Sequence, residues 1–514
     1  MTTRYDVAEM CGIAGIWGSD DVRLVERMMA SIAHRGPDGS GLHAQADGVL
    51  GHRRLAIMDP EGGAQPLYDE TATVAIVANG EIYNFPRLRG SLLDRHEFRT
   101  TSDTEAVLHL FEERRDRTPP ALEGMFAFAI ADPDHLFLAR DPIGIKPLYY
   151  GHGHDEHARP VIAFASEMKS LADWVDELHE FPPGTCFDSR TGFVRYYEVP
   201  TATPVERDLS QHVALVRRGL EAAVASHLMS DVPVGAFLSG GLDSSVLAAL
   251  ARRHVEELHT FSVGVAGSRD LEAARRVAAH IGSIHHEYVM TPDEVVAKLP
   301  EIVHALESFD QDLVRSAIPT WFCSRLAADH VKVILTGEGA DELFAGYAYH
   351  RSIRDPATLH RELCRSVSAL HDINLQRVDR LTMAHGLEGR VPFLDTGFIE
   401  LALSIPPELK MATTDDGRLV EKWILRAAVE DLLPREIVWR TKEQFDEGSG
   451  TVGLLADALR PMLDSIDLEA YRAATEEPIR STEEALYHQM LCAGYARPGM
   501  ILPNVGRWTA DRHL

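Results

Sequence analysis

The chain has 514 residues, enough for two or three domains that each bury a core. Apolar residues make up 45 % of it, and no run approaches the roughly 18 apolar residues of a membrane span, so the composition is that of a globular enzyme with no membrane partner. With 78 acidic against 51 basic residues the net charge is −27, which argues against a nucleic-acid-binding surface and still leaves room for a local basic pocket around a small anion.

Met1 to Glu9 is charged and lacks the apolar stretch of a secretory leader. The five cysteines are scattered and include no Cys-x-x-Cys pair, so neither a disulfide framework nor a zinc cage is indicated, and the expected setting is the cytoplasm. Met10 to Gly18 reads as an apolar strand with Cys11 near its start. Asp21 to Ala33 has helical spacing in Val22, Val25, Met28, Met29 and Ile32. His34 to Gly39 is a turn dense in special residues, and strands follow over 50–58, 73–79, 125–132, 136–140 and 161–165. Between them Ser102-Asp103-Thr104-Glu105 has the form of a capping box that opens a helix to about Arg114. Many short strands with two helices predict an α+β half built of stacked antiparallel sheets covered by helices. A lone cysteine is usually a small buried hydrophobe, and Cys186, Cys323, Cys364 and Cys492 are read that way.

Pro200 to Arg207 has the Pro and Thr content of a linker and no apolar period. From Leu209 a helix presents Val213, Val216, Leu220, Ala223, Val224 and Leu228 on one face. Strand and helix then alternate, with strands over 234–238, 259–265, 285–289 and 331–335, which predicts an α/β half with a parallel sheet. Ligands bind beyond the carboxyl ends of such strands. One such end carries Ser239-Gly240-Gly241-Leu242-Asp243-Ser244-Ser245 ahead of a helix. The two glycines let backbone approach a phosphate, and the N–H groups at the helix start favour an anion. Asp243 would repel phosphate by itself and makes sense as a ligand for bridging Mg²⁺. Thr336-Gly337-Glu338-Gly339-Ala340-Asp341-Glu342 lies at another strand end and faces the same site. His285-His286-Glu287 is not read as a metal cluster, because adjacent strand residues point to opposite faces.

These motifs, in order, resemble a known family. The Ser239–Ser245 loop resembles the pyrophosphate loop of the ATP pyrophosphatase superfamily and differs from a Walker loop. Cys11-Gly12-Ile13, His34 to Gly39, Arg54-Leu55, Asn79-Gly80-Glu81-Ile82-Tyr83-Asn84, Ser102-Asp103, Arg140 to Pro147 and the turn Phe181 to Gly184 resemble the glutaminase domain of the N-terminal-nucleophile amidotransferases, in the asparagine synthetase branch. Arg390 to Asp395, Trp439 to Phe445 and Pro503 to Trp508 continue the likeness, the last suggesting a complete chain. The resemblance implies an αββα glutaminase sandwich over 11–200 and a parallel-sheet ATP pyrophosphatase domain over 207–514.

It also implies roles. Cys11 is the nucleophile, and Asn79 with Gly80 supplies oxyanion donors. Arg54, Leu55, Ala56, Ile57, Met58, Glu81 and Asp103 bind glutamine, Arg54 at the α-carboxylate and the two acids at the α-ammonium. Leu238, Ser239, Gly240, Gly241, Asp243, Ser244, Val263, Thr336 and Gly337 bind ATP. Asp243 and Asp341 hold Mg²⁺. Glu338 is the base or ammonia-orienting group, Lys442 covers the departing pyrophosphate, and Arg315 and Asp395 lie near acceptor or pyrophosphate. The implied reaction amidates aspartate through a β-aspartyl-adenylate, with glutamine as nitrogen donor and AMP and pyrophosphate as products. A shielded path for ammonia joins the sites, and a homodimer is the candidate assembly.

Three questions stay open at the sequence level. A nucleophile of this kind needs a free α-amine, and nine residues precede Met10. Either the true start is Met10, with methionine later removed, or the extension is processed off, or the glutaminase is inactive as written; the first is favoured. Asp312 and Leu313 stand where relatives carry threonines, so another acceptor carboxylate is an alternative. A regulatory protein that binds nucleotide or amino acid without turnover is the other.

Overall fold

The computed structural model describes residues 11–36, 38–201, 203–413, 417–441 and 445–508. Two six-stranded antiparallel sheets fill the amino-terminal part. One runs Val175–Glu180, Tyr149–His154, Pro160–Ala165, Gly12–Trp17, Gly48–Arg54, Gly39–Gln45 in spatial order. The other runs Gly192–Arg195, Thr185–Asp188, His135–Arg140, Gly124–Asp132, Ala75–Ile82, Leu67–Tyr68.

Side-chain alternation explains why they stack. Along Ala75–Ile82, Ala75 and Val77 face the first sheet and pack with Ile13, Leu50 and Phe164. Ile76 and Ala78 point the other way, into Val107, Leu110 and Phe111 of helix Asp103–Arg114. Helix Val22–Ser31 covers the outer face of the first sheet through Val25, Met28 and Met29. The result is helix, sheet, sheet, helix. Ser102 caps helix Asp103–Arg114 by accepting from the Thr104 N–H. The return arm of the expected capping box does not form. Glu105 instead accepts from the N–H groups of Arg99 and Thr100 at 2.7 and 2.8 Å, because the chain ahead of the cap folds back over it.

The carboxyl-terminal part is built on a five-stranded parallel sheet, ordered Ile284–Val289, His259–Gly264, Val234–Phe237, Val333–Leu335, Glu388–Arg390. The chain steps outward from Val234–Phe237 in one direction and then returns to its other side at Val333–Leu335. That reversal opens a crevice beyond the two central strand ends. Helix Leu242–Ala251 follows the glycine loop as expected and is buried over nearly its whole length. The helix expected after Gly339 is only the single turn Ala340–Leu343. It stops because Ala345 turns left-handed (φ 57°), bringing Gly346 against Asp341 and the Lys422 stem, where a side chain would not fit.

The two parts share one core and a seam of buried charge. Ala14, Ile16, Met28 and Leu171 pack in the same apolar cluster as Leu299, Ile302 and Val303. Across the seam Arg35, paired with Glu167 of its own half at 2.7 Å, bonds Asp379 at 2.7 Å, while Arg380, ion-paired with Glu307 of its own half at 2.9 Å, donates to the Ser166 carbonyl at 2.9 Å. Burial by itself would raise the Glu167 carboxyl; His34, Lys169, Arg380 and Arg35 together hold it well below the usual range. Glu167→Gln is therefore expected to cost about 3–5 kcal/mol, read as a lower thermal unfolding midpoint at neutral pH. Because the folded pKa is depressed, this contribution is present at neutral pH and is lost as pH falls below about 4.5. The mutant and parent midpoints should converge in acid; a constant gap down to strong acid would refute the assignment.

Candidate active site

The first site lies at the start of Gly12–Trp17. The Cys11 Sγ accepts the Leu55 N–H at 3.3 Å and lies 3.5 Å from the Leu55 carbonyl oxygen. Burial pushes this thiol up to about 12, against the Leu55 hydrogen bond, which lowers it. A thiol so placed needs a base to become a nucleophile. Arg35 holds the residue from behind, donating from Nε to the Cys11 carbonyl at 3.3 Å.

Around Cys11 the sequence-predicted residues gather as follows. Asn79 is buried on Ala75–Ile82, and its amide nitrogen has no hydrogen-bond partner among the described residues. Gly80 next to it has φ +139°, and any Cβ would run into the Met125 carbonyl, so only glycine fits. Arg54 donates to the Pro60 and Asp59 carbonyls at 2.9 and 2.6 Å. Ala56 donates to Asp38 at 3.0 Å, while Ile57 and Asp59 bond Asp231 of the other half at 3.3 and 2.8 Å, which fixes the loop through Met58. Glu81 is pushed well above the usual carboxylate range by burial and by Asp103 and Glu388, and it pairs with Arg390 at 3.4 Å. One Glu81 oxygen has no hydrogen-bond partner among the described residues. Asp103 is raised to about 6 by burial while accepting from the N–H groups of Ile82 and Thr104. A thiol, an amide nitrogen without a partner among the described residues and a pair of buried acids are groups suited to a ligand bearing a carbonyl and an ammonium.

The second site is a cavity of about 340 Å³ beyond the ends of the central parallel strands. Its lining includes Leu238, Ser239, Asp243, Ser244, Val263, Thr336, Gly337, Glu338 and Asp341, all picked out in the sequence. Gly240 and Gly241 are not in the lining. Gly240 (φ +73°) instead lets the loop pass the backbone of helix Arg269–Ile281 at Ala273 and Ala274. Ser239 and Ser244 hold the loop shut through a 3.0 Å contact between their hydroxyls and a 3.1 Å bond from the Ser239 N–H.

Other predicted residues lie apart. Arg315 turns away from the cavity into a two-pronged pair with Glu483 at 2.8 and 2.6 Å, while Asp312 and Ser316 of its helix line the wall. Asp395 caps helix Thr396–Leu403 by accepting the Phe398 N–H at 3.0 Å. Lys442 lies outside the described residues.

Lys422 is the side chain the sequence reading missed. It is 1 % exposed, and its Nζ lies 2.7 Å from Asp243 and 2.6 Å from Asp341. A lysine ahead of an apolar helix carries no spacing signal toward two acids so distant in sequence. Its ammonium shows that the two carboxylates converge on a cation, which fits them to hold Mg²⁺ through hard oxygen ligands. Lys422→Met would bring both carboxylates together with no ammonium between them. A lower unfolding midpoint without Mg²⁺ is expected, with a larger upward shift on adding Mg²⁺ than wild type shows, read by scanning fluorimetry. Equal shifts in both proteins would refute convergence of these acids on a metal.

Helix Asn374–Met383 runs between the sites. Arg377 bonds Glu338 in the cavity, and Asp379 bonds Arg35, which holds Cys11.

Among known families, residues 10–214 match one described as a glutamine amidotransferase domain, and residues 215–355 and 351–493 match one described as asparagine synthase. Asparagine synthetase (glutamine-hydrolyzing) 2 of Oryza sativa subsp. japonica is 41 % identical over 509 residues, covering 94 % of this chain and 85 % of its own. Asparagine synthetase (glutamine-hydrolyzing) 3 of Arabidopsis thaliana is 43 % identical over 465 residues, covering 86 % of this chain and 79 % of its own. The asparagine synthetase of Sandersonia aurantiaca is 40 % identical, covering 94 % of this chain and 95 % of its own.

Proposed function

The chain belongs to the glutamine-hydrolysing asparagine synthetase family, and from that premise we propose that it releases ammonia from glutamine at Cys11 and amidates the side chain of aspartate, with ATP, in the Asp243–Asp341 cavity. The observation that carries this reading is the pairing of a nucleophile pocket and a strand-end cavity across one helix of a single chain. Residues 11–200 are assigned to the first reaction and 207–514 to the second. The five cysteines are free thiols, in keeping with a reducing cytoplasmic setting.

In the first reaction the Cys11 thiolate attacks the amide carbon of glutamine, the C–N bond breaks as ammonia leaves with the transferred proton, and water then hydrolyses the thioester to glutamate and the free thiol. The free N–H of Asn79 and the Gly80 backbone receive the negative charge that develops on the oxygen, where preorganised donors gain most. Glu81 and Asp103 take the α-ammonium and Arg54 the α-carboxylate. The proton on the thiol goes to the α-amine of Cys11 once that residue is the first of the chain.

In the second reaction a carboxylate must be activated, because hydroxide is a poor leaving group. The aspartate oxygen displaces pyrophosphate from the α-phosphorus of ATP, giving an acyl-adenylate that ammonia then attacks. Asp243 and Asp341 would hold Mg²⁺, which when bound neutralises phosphate charge. Leu238, Val263, Thr336 and Gly337 shape the nucleotide end, and Ser239 to Ser244 bring loop donors to the phosphates. Glu338, steadied by Arg377, faces the site as the base or ammonia-orienting group. Lys442 is assigned to the departing pyrophosphate by family likeness.

The test is a product assay with Mg-ATP and aspartate, with glutamine in one reaction and ammonium in the other. Asparagine, AMP and pyrophosphate in both are expected. Asparagine from ammonium alone would mean a blocked Cys11. A second reading, amidation of another carboxylate, is favoured by Asp312, which lines the cavity and is held by Arg480 at 3.0 Å. AMP formed with a rival acid and not with aspartate would establish it.

A further inference from the structure

Toward the amino-terminal ends of the parallel strands lies a second constellation that neither reaction uses. His259 opens strand His259–Gly264, His286 lies on the edge strand Ile284–Val289, and His330 follows helix Gln311–Ala328. His285 and His286 do point to opposite faces. His285 bonds Thr260 at 3.0 Å, while His286 shares the face of His259 and Phe261. Its partners come from distant segments, which sequence spacing does not reveal.

We propose that His259, His286 and His330 form a binding site for a divalent transition-metal ion such as Zn²⁺, separate from the Mg²⁺ position at Asp243 and Asp341. One nitrogen from each ring lies within 4.8 Å of the others. The His259 Nδ1 and His286 Nε2 are 2.9 Å apart, and the His286 and His330 rings stack with centroids 3.9 Å apart. Zinc bonds of about 2.0–2.1 Å in a tetrahedron set ligand nitrogens about 3.3 Å apart, so the spacing matches, and binding turns the now stacked rings about their side-chain torsions and replaces the His259–His286 hydrogen bond. The exposed side of His330 leaves the fourth position open to water.

The chemistry of the donors selects the ion. None of the three rings has an ion pair among the described residues, and the charges that bear on His286 are those of His330, His259 and His285. Imidazole nitrogen prefers Zn²⁺, Ni²⁺, Cu²⁺ and Co²⁺, whereas Mg²⁺ prefers oxygen. The other histidine cluster, His96 and His109, differs in this respect. Glu70, Glu105 and Glu112 pair with those rings and account for their arrangement without a metal.

The test uses the full chain without an affinity tag, dialysed against Zn²⁺ in excess Mg²⁺, with metal counted per chain. Wild type is expected to bind one equivalent more than His330→Ala and than His286→Ala. His330 is on the surface, so its variant folds even if the other does not. Co²⁺ in place of Zn²⁺ should give the visible absorption of a four-coordinate ion in wild type and lose it in His330→Ala. Equal stoichiometry in wild type and His330→Ala would overturn the proposal, as would loss of the extra equivalent in His109→Ala with its retention in His330→Ala.

Discussion

Protein in which Cys11 is replaced by alanine is expected to make asparagine from ammonium within about twofold of the wild-type rate, and from glutamine at least about a thousandfold more slowly. The thiol is the nucleophile assigned to this site, and alanine removes it with little change of volume. The strand-end cavity draws on none of the atoms removed, so ammonia supplied from solution finds it intact. The same split separates two forms of the unaltered chain. With residues 1–10 attached, Cys11 has a peptide nitrogen, and burial keeps its thiol protonated near neutral pH. With Cys11 first, its α-amine titrates at roughly 7.7–8.0 and accepts the thiol proton when neutral. Glutamine hydrolysis by the shortened form should therefore rise as pH passes through that range and fall below it. The extended form should behave like Cys11→Ala at every pH. Wild-type glutamine-dependent synthesis by Cys11→Ala would end the assignment of the first site.

Asp341→Asn should divide the activities the other way. Synthesis from both nitrogen sources is expected to fall by about 10²–10³-fold, while glutamine hydrolysis stays within a few-fold of wild type. An amide is nearly the shape of a carboxylate but carries no charge, so it keeps the turn Ala340–Leu343 and weakens the hold on a dication. Asp243 is then left to meet Lys422 without its second acid, and the cation position loses half of its compensating charge. Raising Mg²⁺ should recover part of the rate in Asp341→Asn and none in a variant that has lost its fold. Full synthesis at ordinary Mg²⁺ would remove Asp341 from the site.

The parts legible in the sequence were those set by local periodicity or by turn chemistry. Helix Leu209–His227 follows the apolar spacing expected of it, and Asp208 and Gln211 close both arms of a capping box at its start. The glycine loop at Ser239–Gly241 and the acidic loop after Leu335 fall at the expected strand ends. The strands missed are short, polar or both. Val175–Glu180 is an edge strand rich in exposed acids, which no apolar alternation marks. Glu388–Arg390 is the reverse case, a central-looking burial of charged residues. Arg390 and Glu388 pair with each other at 2.8 Å, and each also meets a charge from the other half of the chain, Glu81 at 3.4 Å and Lys146 at 3.3 Å. Apolar patterning cannot register a buried residue whose compensation comes from so far away. Lys422 escaped notice for the same reason, and Arg35 reads in the sequence only as part of the turn His34 to Gly39, with no role assigned: each works through acids that only the fold brings near.

The paired charges along that contact also limit how such a chain can be recombined. Arg35 and Glu167 of one half meet Asp379 and Arg380 of the other, Arg35 with Asp379 at 2.7 Å and Glu167 with Arg380 at 3.5 Å, so the network is complete only when both halves are present. A hybrid joining halves from two parents inherits a working contact only when both parents have the same charges at matching places. Where they do not, one guanidinium or carboxylate is left buried opposite an apolar group, a mismatch worth several kcal/mol. Inheritance in this chain is thus governed less by where it is cut than by whether an arginine from one ancestor still meets its acid from the other.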